Sequence, residues 1–201
     1  MNDNIEWIFF DVGSTLVDEI NAFHMQIKNT IEGTNISFDT FYEKIEELLL
    51  DGKPGYRGAC EYYQLARKPW VSDREELYKD TIEVLDYLKN KYKLGIIANQ
   101  LLGLSKRLER QGILHYFDVI VSSAEEGIEK PDLRIFELAL SRSGCNPQQA
   151  IMIGDRIDND IEPAKKCNMH TVWIQRNQEM KDSNHLADYK ILNLKELIKI
   201  L

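Results

Sequence analysis

The sequence predicts an α/β protein with a doubly wound, parallel sheet and a small helical insert after the first strand. Five short apolar runs are too short to be helices, and segments of helical periodicity separate most of them. Most of these runs do not alternate polar and apolar residues, as expected of strands that are covered on both faces. The predicted strands are Trp7–Phe10, Leu94–Ala98, Phe117–Val121, Ala150–Ile153 and Thr171–Ile174.

The segments between the later strands have the spacing of helices. Apolar residues recur on one helical face before the second strand, at Leu77, Thr81, Leu85 and Leu88. Further helices are predicted over Gly103–Gln111, Asp132–Ser143 and Asp158–Cys167. Strands that alternate with helices indicate βαβ units in one sheet, and the sequence therefore predicts a Rossmann-like core.

Residues 18–77 break this alternation. They show helical periodicity without a convincing strand, and the clearest apolar stripe is Phe38, Phe41, Tyr42, Ile45, Leu48 and Leu49. Because the stretch directly follows the first strand, we predict a separate helical cap over residues 18–77 that covers the strand ends. The core is then formed by residues 1–17 and 78–201. The alternative is that these helices simply cover the sheet.

The composition excludes several classes of function. The chain has 201 residues and a net charge of −8, which does not suit a nucleic-acid surface. No apolar run approaches the roughly 18 residues that a membrane helix needs, and the polar, acidic first residues do not resemble a signal peptide. The three cysteines form no zinc pattern, and we expect reduced, mostly buried thiols in a cytoplasmic protein. The sequence does not indicate an oligomeric state.

Four short segments are expected to meet at the carboxyl ends of the strands, where open α/β sheets bind ligands. Two of them follow the first and second strands, and they read Asp11-Val-Gly13-Ser14-Thr15 and Ala98-Asn99-Gln100. An acidic residue directly after a buried strand is exposed to ligands but fixed in position. Each segment alone is also typical of a plain turn after a strand.

The other two segments carry a lysine and a group of acids. Lys130 precedes Pro131, and a proline at a helix start is ordinary capping chemistry. The last segment reads Gly154-Asp155-Arg156-Ile-Asp158-Asn-Asp160 and directly follows a buried strand. Several carboxylates at one strand end indicate a hard cation such as Mg²⁺, which prefers oxygen ligands.

In this order, the four segments resemble the four motifs of the haloacid dehalogenase (HAD) superfamily. The closest likeness is to the fourth motif, through Gly154-Asp155 and Asp160, and the resemblance covers nearly the whole chain. It implies a Mg²⁺-dependent, phosphatase-like hydrolase with a helical cap of the first type. The implied substrate is a phosphorylated small molecule.

The resemblance also implies a role for each motif residue. Asp11 would be the nucleophile that forms an aspartyl-phosphate, and Lys130 would neutralise charge on Asp11 and the transferring phosphoryl group. The implied Mg²⁺ site consists of Asp11, the Gly13 main-chain carbonyl and Asp155, with Asp160 in it or beside it. The implied substrate and phosphate contacts are Ser14, Thr15, Ala98, Asn99, Lys130 and Arg156.

Two positions depart from the family pattern. Gly13 stands where the family's phosphatases usually have an aspartate that protonates the leaving group, and Ala98 stands where they usually have serine or threonine. A general acid or base contributes about 10²–10⁴-fold to a rate, and one hydrogen bond to a developing charge about 10²–10³-fold. We therefore expect reduced activity, whereas a carbonyl ligand from Gly13 needs no side chain.

These departures leave other interpretations open. The main alternative is a non-catalytic phosphate- or metal-binding protein on the same scaffold. Dehalogenases of the superfamily also lack the second aspartate, but they need no Mg²⁺, and Asp155 and Asp160 count against that interpretation. Phosphonate hydrolysis would use a lysine of the cap, and nothing in the sequence singles one out.

Overall fold

The structure is a computed structural model that describes residues 4–176 and 186–201. Its strands, in chain order, are β1 Trp7–Phe10, β2 Val17–Asp18, β3 Glu76–Leu77, β4 Lys93–Ala98, β5 Val119–Ser122, β6 Ala150–Gly154, β7 His170–Ile174 and β8 Tyr189–Ile191. Its α-helices are α1 Ile20–Ile31, α2 Phe38–Leu50, α3 Gly55–Tyr62, α4 Thr81–Lys89, α5 Leu104–Arg110, α6 Ser123–Glu126, α7 Leu133–Ser143, α8 Glu162–Lys166 and α9 Leu197–Ile200. Over these two ranges, none of the helices combines the length and the apolar character that a membrane crossing requires.

Six strands form one parallel sheet in the order β5-β4-β1-β6-β7-β8. The central strand is β1, in which Trp7 pairs with Lys93 of β4 on one side and with Ala150 of β6 on the other. After β1, the sheet grows through β4 and β5 in one direction, and it then grows through β6, β7 and β8 in the other. Helices lie in the connections between successive strands of this sheet from β1 to β7, and the predicted doubly wound, Rossmann-like α/β core is confirmed.

The central strands carry apolar side chains on both faces. In β1, Ile8 and Phe10 belong to one buried cluster, whereas Phe9 belongs to another. Met152 of β6 lies with Phe9 in the second cluster. Successive side chains of a strand point to opposite faces, so each cluster fills one side of the sheet. This explains why the strand sequences are continuously apolar.

All five predicted strands are present, with small differences at their ends. The largest difference is in β5, which begins at Val119 rather than Phe117. The edge strand β8 was not predicted. It has three residues, pairs with β7, and only Ile191 in it is buried. So short a strand, with so little apolar surface, shows no period in the sequence.

The crossover helices are present, with two changes from the prediction. The helix before β4 begins at Thr81 rather than Leu77, because Leu77 belongs to β3. The predicted helix over Asp158–Cys167 is a π-helical turn over Ile157–Ile161 followed by α8. Pro163 lies in the first turn of α8, where its missing N–H is not needed.

The chain divides into two compact units, one of which joins the part up to Asp18 to the part from Glu76 onward. The other is Glu19–Glu75. In the first unit, β2 and β3 form a two-residue antiparallel ribbon that pairs Val17 with Leu77. This ribbon was not predicted, since two residues are too few to show a strand pattern. That residues 18–77 act as a cap stays a prediction.

The Glu19–Glu75 unit contains α1, α2 and α3. Its small hydrophobic core consists of Ile27, Phe41, Ile45, Ala59 and Cys60. The side chain of Ser37 accepts a hydrogen bond from the Thr40 N–H at the start of α2, which satisfies one free donor of that helix. The hydroxyls of Thr30 and Tyr56 lie 2.8 Å apart and connect α1 to α3. Of the predicted apolar stripe of α2, Phe41 and Ile45 are buried in this core and Phe38, Tyr42 and Leu48 pack against it, whereas Leu49 is exposed.

Candidate active site

The candidate site lies at the carboxyl edge of the parallel sheet. Asp11 directly follows β1, and Asp155 directly follows the neighbouring strand β6. In chain order, the sheet strand that follows β1 is β4, and it lies on one side of the β1–β6 pair. The strand that follows β6 is β7, and it lies on the opposite side of this pair. Such a switch in direction opens a crevice between adjacent strand ends, and open α/β sheets bind ligands there.

Three carboxylates meet in this crevice. One oxygen from each of Asp11, Asp155 and Asp160 lies within 4.8 Å of the other two. Asp11 and Asp160 are buried, and Asp155 is partly buried. The π-helical turn over Ile157–Ile161 carries Asp160 back to the end of β6. Carboxylates so close together, and so little exposed, require a compensating positive charge.

Gly154 makes room for Asp160. A Cβ placed on Gly154 would lie 2.4 Å from Cγ of Asp160, far inside the roughly 3.5 Å at which carbon atoms pack. Oδ2 of Asp160 accepts a hydrogen bond from the Arg156 N–H at 2.9 Å, which fixes the carboxylate in this position. Glycine at the end of β6 is therefore required by the place that Asp160 occupies.

Lys130 connects two of the carboxylates. Its Nζ donates to Oδ1 of Asp11 at 2.7 Å and to Oδ1 of Asp160 at 2.5 Å. It also donates to the main-chain carbonyl of Ile97, in β4, at 3.0 Å. All three donors of the ammonium group are thereby used. The residue is only 4% exposed, and a lysine buried to this extent needs such partners.

The charges of the cluster shift the pKa of each group. Burial raises the pKa of Asp11 to about 6, with a further upward push from Asp160, although Lys130 opposes the rise. Burial likewise raises the pKa of Asp155 to about 8, and the charges of Asp11 and Asp160 contribute to this rise. Burial would lower the pKa of Lys130, but the two carboxylates that it contacts outweigh burial and raise it. Three carboxylates face one ammonium, and this excess of negative charge favours an added cation.

The donor set suits a divalent cation. Mg²⁺ binds oxygen ligands at about 2.0–2.1 Å in an octahedron, so its ligand atoms lie at most about 4.2 Å apart. Oxygens within 4.8 Å of one another need only small adjustments to meet this geometry. Both oxygens of Asp160 already accept hydrogen bonds, from Lys130 and the Arg156 N–H. Asp11 and Asp155 are therefore the better placed of the three to coordinate a metal.

Two residues that were predicted to bind phosphate have other partners. Nδ2 of Asn99 donates to the carbonyl of Lys130 at 2.9 Å, and its Oδ1 accepts from the Lys130 N–H at 2.7 Å. The guanidinium of Arg156 pairs with Asp158, with Nη2 and Oδ2 2.5 Å apart. The predicted phosphate contacts of Asn99 and Arg156 stay predictions. Position in the sequence placed the residues near strand ends but did not show where their side chains point.

The loop after β1 holds Gly13, Ser14 and Thr15 of the other predicted residues. Ser14 has a left-handed φ of 54°. The hydroxyl of Thr15 is buried and has no hydrogen-bond partner among the described residues, and its predicted phosphate contact stays a prediction. The carbonyl of Thr15 instead accepts two hydrogen bonds from Arg176, at 2.9 and 2.6 Å. Gly13 follows β1 at the same edge where Ala98 ends β4.

Two participants were missed from the sequence. Ile97 contributes its main-chain carbonyl, for which a pattern of side chains carries no signal. Arg176, which follows β7, braces Thr15 and forms a buried ion pair with Asp80 at 2.8 Å. The sequence does carry a signal for Arg176, because the polar pair Gln175-Arg176 directly follows a buried strand, as Asp11 and Asp155 do.

The fold and the site define a class of protein: a doubly wound α/β protein with a lysine-bridged carboxylate cluster at its switch point. Residues 5–168 match the haloacid dehalogenase-like hydrolase family, and the chain belongs to that family. The resemblance inferred from the four motifs is therefore confirmed.

Relatives of known name are similar over nearly their full length. A glyceraldehyde 3-phosphate phosphatase of Methanopyrus kandleri is 35% identical, over 98% of this chain and 97% of the relative. The pyrimidine 5'-nucleotidase YjjG of Escherichia coli is 32% identical, over 98% of this chain and 97% of that relative. A solved HAD phosphatase from Thermococcus onnurineus has a TM-score of 0.74 at 27% identity, and the match covers 98% of this chain and 97% of that one. The prediction of a phosphatase-like hydrolase is confirmed by these relatives.

Proposed function

We propose that this chain is a Mg²⁺-dependent phosphatase that hydrolyses a phosphorylated small molecule through an aspartyl-phosphate at Asp11. The observation that carries the proposal is the buried ammonium of Lys130, which contacts Asp11 and Asp160 beside Asp155. A carboxylate attacks a negatively charged phosphoryl group only when both charges are screened. The lysine supplies part of that screening, and the excess of carboxylates supports a metal ion as the other part.

The proposed Mg²⁺ ligands are Asp11, Asp155 and the main-chain carbonyl of Gly13, with Asp160 held beside them by Lys130. When bound, the ion would supply charge neutralisation for the transferring phosphoryl group. The protein's own part is to keep the carboxylates in place before the substrate arrives. Lys130 and the Arg156 N–H do this for Asp160, and Lys130 does it for Asp11.

The reaction takes place in two displacements at phosphorus. First, a carboxylate oxygen of Asp11 bonds to phosphorus while the bond from phosphorus to the leaving oxygen breaks, and that oxygen departs with the electron pair. Water then attacks the aspartyl-phosphate, and the bond between phosphorus and Asp11 breaks. The carboxylate is restored, and the proton of the water passes to the released phosphate. Lys130 stays protonated throughout and stabilises charge on Asp11.

The relatives support a small phosphorylated substrate but do not select one. One is named for glyceraldehyde 3-phosphate and the other for pyrimidine 5'-nucleotides. We propose that the helical unit Glu19–Glu75 acts as the cap and determines which substrate is accepted. A cytoplasmic location is part of the proposal, and the three free, buried cysteines support it.

A panel of phosphoesters and phosphoanhydrides, assayed with and without Mg²⁺, tests the proposal. We expect Mg²⁺-dependent phosphate release, together with a mass gain of one phosphoryl group in acid-quenched wild type. Asp11→Asn should show neither. Asp51→Asn removes an exposed carboxylate of the helical unit and should behave like wild type. Turnover by Asp11→Asn at the wild-type rate would show that the covalent step is misassigned.

A second candidate is a phosphate-binding protein that keeps the scaffold without turnover. Gly13 and Ala98 favour it, because neither supplies the acid or the hydroxyl that the family's phosphatases usually have at these positions. Calorimetry with inorganic phosphate distinguishes the two functions. Tight, Mg²⁺-dependent phosphate binding without turnover of any compound in the panel would support this second function.

A further inference from the structure

Asn99 holds the main chain of Lys130 from both sides. Its amide donates to the Lys130 carbonyl at 2.9 Å and accepts from the Lys130 N–H at 2.7 Å. Two residues of adjacent strands exchange the same pair of hydrogen bonds through their main chains. Lys130 lies between α6 and α7, outside any strand, and the side chain of Asn99 replaces a strand partner there.

The end of β4 holds both ends of this lysine. Asn99 follows β4 directly and binds the Lys130 main chain, whereas Ile97 within β4 accepts a hydrogen bond from the Lys130 Nζ. A lysine side chain is a flexible four-carbon stem. When its main chain and its ammonium are attached to the same strand, the distance that the stem must span is fixed. The ammonium then meets Asp11 with little freedom to move.

We propose that Asn99 is a positioning residue of the reaction, which acts through Lys130 and does not touch the substrate. The inference rests on the proposed function, since it assigns to Asn99 the placement of the ammonium that screens Asp11 and the phosphoryl group. Ala98 offers no hydroxyl at this strand end, so Lys130 carries a larger share of phosphoryl stabilisation. Its placement then matters more than in a site that has the hydroxyl.

The first test separates kcat from KM. Asn99→Ala removes both hydrogen bonds to Lys130, and we expect kcat to fall roughly 10- to 100-fold while KM changes much less, since displacement of a catalytic group costs rate more than binding. Asn99→Asp keeps the acceptor but loses the donor and should fall between wild type and Asn99→Ala. Asn90→Ala is the matched control, because its amide also donates to a main-chain carbonyl, that of Asp86, on an exposed helix end. An unchanged kcat in Asn99→Ala would overturn the proposal.

A double-mutant cycle separates positioning from a general structural role. If Asn99 acts through Lys130, then Asn99→Ala should cause no further loss of kcat in a Lys130→Ala background. A structural role would lower kcat by the same factor in both backgrounds, and that outcome would overturn the proposal.

Amide hydrogen exchange provides a readout that does not depend on activity. The Lys130 N–H should exchange slowly in wild type, faster in Asn99→Ala, and at nearly the wild-type rate in Asn99→Asp, which keeps the acceptor. The aspartate variant also keeps the test open if the alanine variant does not fold. Equal exchange rates in wild type and Asn99→Ala would show that Asn99 does not hold the Lys130 main chain, and would overturn the proposal. If wild type shows no turnover but the Lys130 N–H exchanges slowly, the proposed function is refuted, whereas the hold of Asn99 on the Lys130 main chain is not.

Discussion

The ammonium of Lys130 lies 2.7 Å from Oδ1 of Asp11, and the two residues are 119 positions apart in the chain. Lys130→Met keeps an unbranched side chain but leaves Asp11 and Asp160 without their counter-charge. We expect loss of activity and, without Mg²⁺, a loss of about 3–5 kcal/mol in the free energy of unfolding, as when one partner of a buried pair is removed. Urea unfolding in EDTA measures this. Lys195→Met removes an exposed partner of Glu83, and equal losses in the two variants would contradict the prediction.

Asp11→Asn should abolish phosphatase activity and keep the fold. The amide is nearly isosteric with the carboxylate but is a poor nucleophile. Lys130 retains Asp160 and the Ile97 carbonyl as partners, so the core of the site should remain intact. In EDTA at neutral pH the variant should be at least as stable as wild type, because one buried negative charge is removed. Initial rates and thermal unfolding together test this, and a less stable variant would mean that the carboxylate supports the fold.

Stability without Mg²⁺ should depend on pH through Asp155. Its pKa rises from 3.8 to about 8 on folding in the absence of metal, so the folded state holds this proton more tightly than the unfolded state. That contribution to stability is complete below about pH 4 and is lost as pH rises through about 8. We expect the melting temperature of wild type in EDTA to fall, relative to Asp155→Asn, across this range. Mg²⁺ binds the ionised carboxylates and should reduce the fall, and parallel profiles of the two proteins in EDTA would refute the prediction.

Gly154→Ala should destabilise the protein and weaken Mg²⁺ binding. The new Cβ would lie 2.4 Å from Cγ of Asp160, so the carboxylate must move away from the cluster. Overpacking of this kind costs roughly 1–3 kcal/mol. Gly58→Ala is the control, because its Cβ would meet the flexible end of Leu48 at 3.0 Å within a helix. Urea unfolding and calorimetric Mg²⁺ titration measure the two effects, and wild-type Mg²⁺ affinity in Gly154→Ala would contradict the argument.

The sheet was largely predictable because its central strands are buried on both faces. A run such as Ala150–Ile153 is apolar throughout and too short for a typical helix, so its length favours a strand. The ribbon and β8 were not predictable for the opposite reason, since Tyr189–Ile191 has only one buried side chain. Strand and helix ends also depended on contacts that no local pattern contains.

The site was predictable to the extent that it depends on strand ends. Asp11 and Asp155 follow parallel neighbouring strands, so the topology alone brings them together. Side-chain direction was not predictable, because it depends on partners that are distant in sequence. Asn99 turns toward Lys130, 31 positions away, and the Thr15 carbonyl is bound by Arg176, 161 positions away. The sequence therefore could not predict either of these contacts.

Gly13 predicts a dependence on the leaving group that is specific to this sequence. The carboxylates that accompany Asp11 in the cluster are Asp155 and Asp160, and Asp160 is held by Lys130 and the Arg156 N–H. Because we assign Asp155 to the metal and Asp160 is already held by these partners, we expect the leaving group to depart largely unprotonated. An alkoxide, as from a simple sugar phosphate, then bears the full cost of its high basicity. Phenolate, carboxylate and phosphate leaving groups are stable anions, and we expect aryl, acyl and anhydride phosphates to react much faster than alkyl phosphates.

The measurement is a series of phosphoesters with graded leaving-group pKa, assayed in wild type and in Gly13→Asp. Wild type should show a steep fall in kcat/KM as the leaving-group pKa rises. Gly13→Asp should raise kcat/KM for the alkyl phosphates by about 10²–10⁴-fold, the usual contribution of a general acid, and so make this dependence less steep. The aspartyl-phosphate should also break down slowly without a base, so wild type should release leaving group in a burst followed by slower turnover. Asp11→Asn should show no burst, which ties the burst to the covalent step. Equal rates on alkyl and aryl phosphates in wild type, with no gain on alkyl substrates in Gly13→Asp, would mean that Gly13 does not limit acid catalysis here.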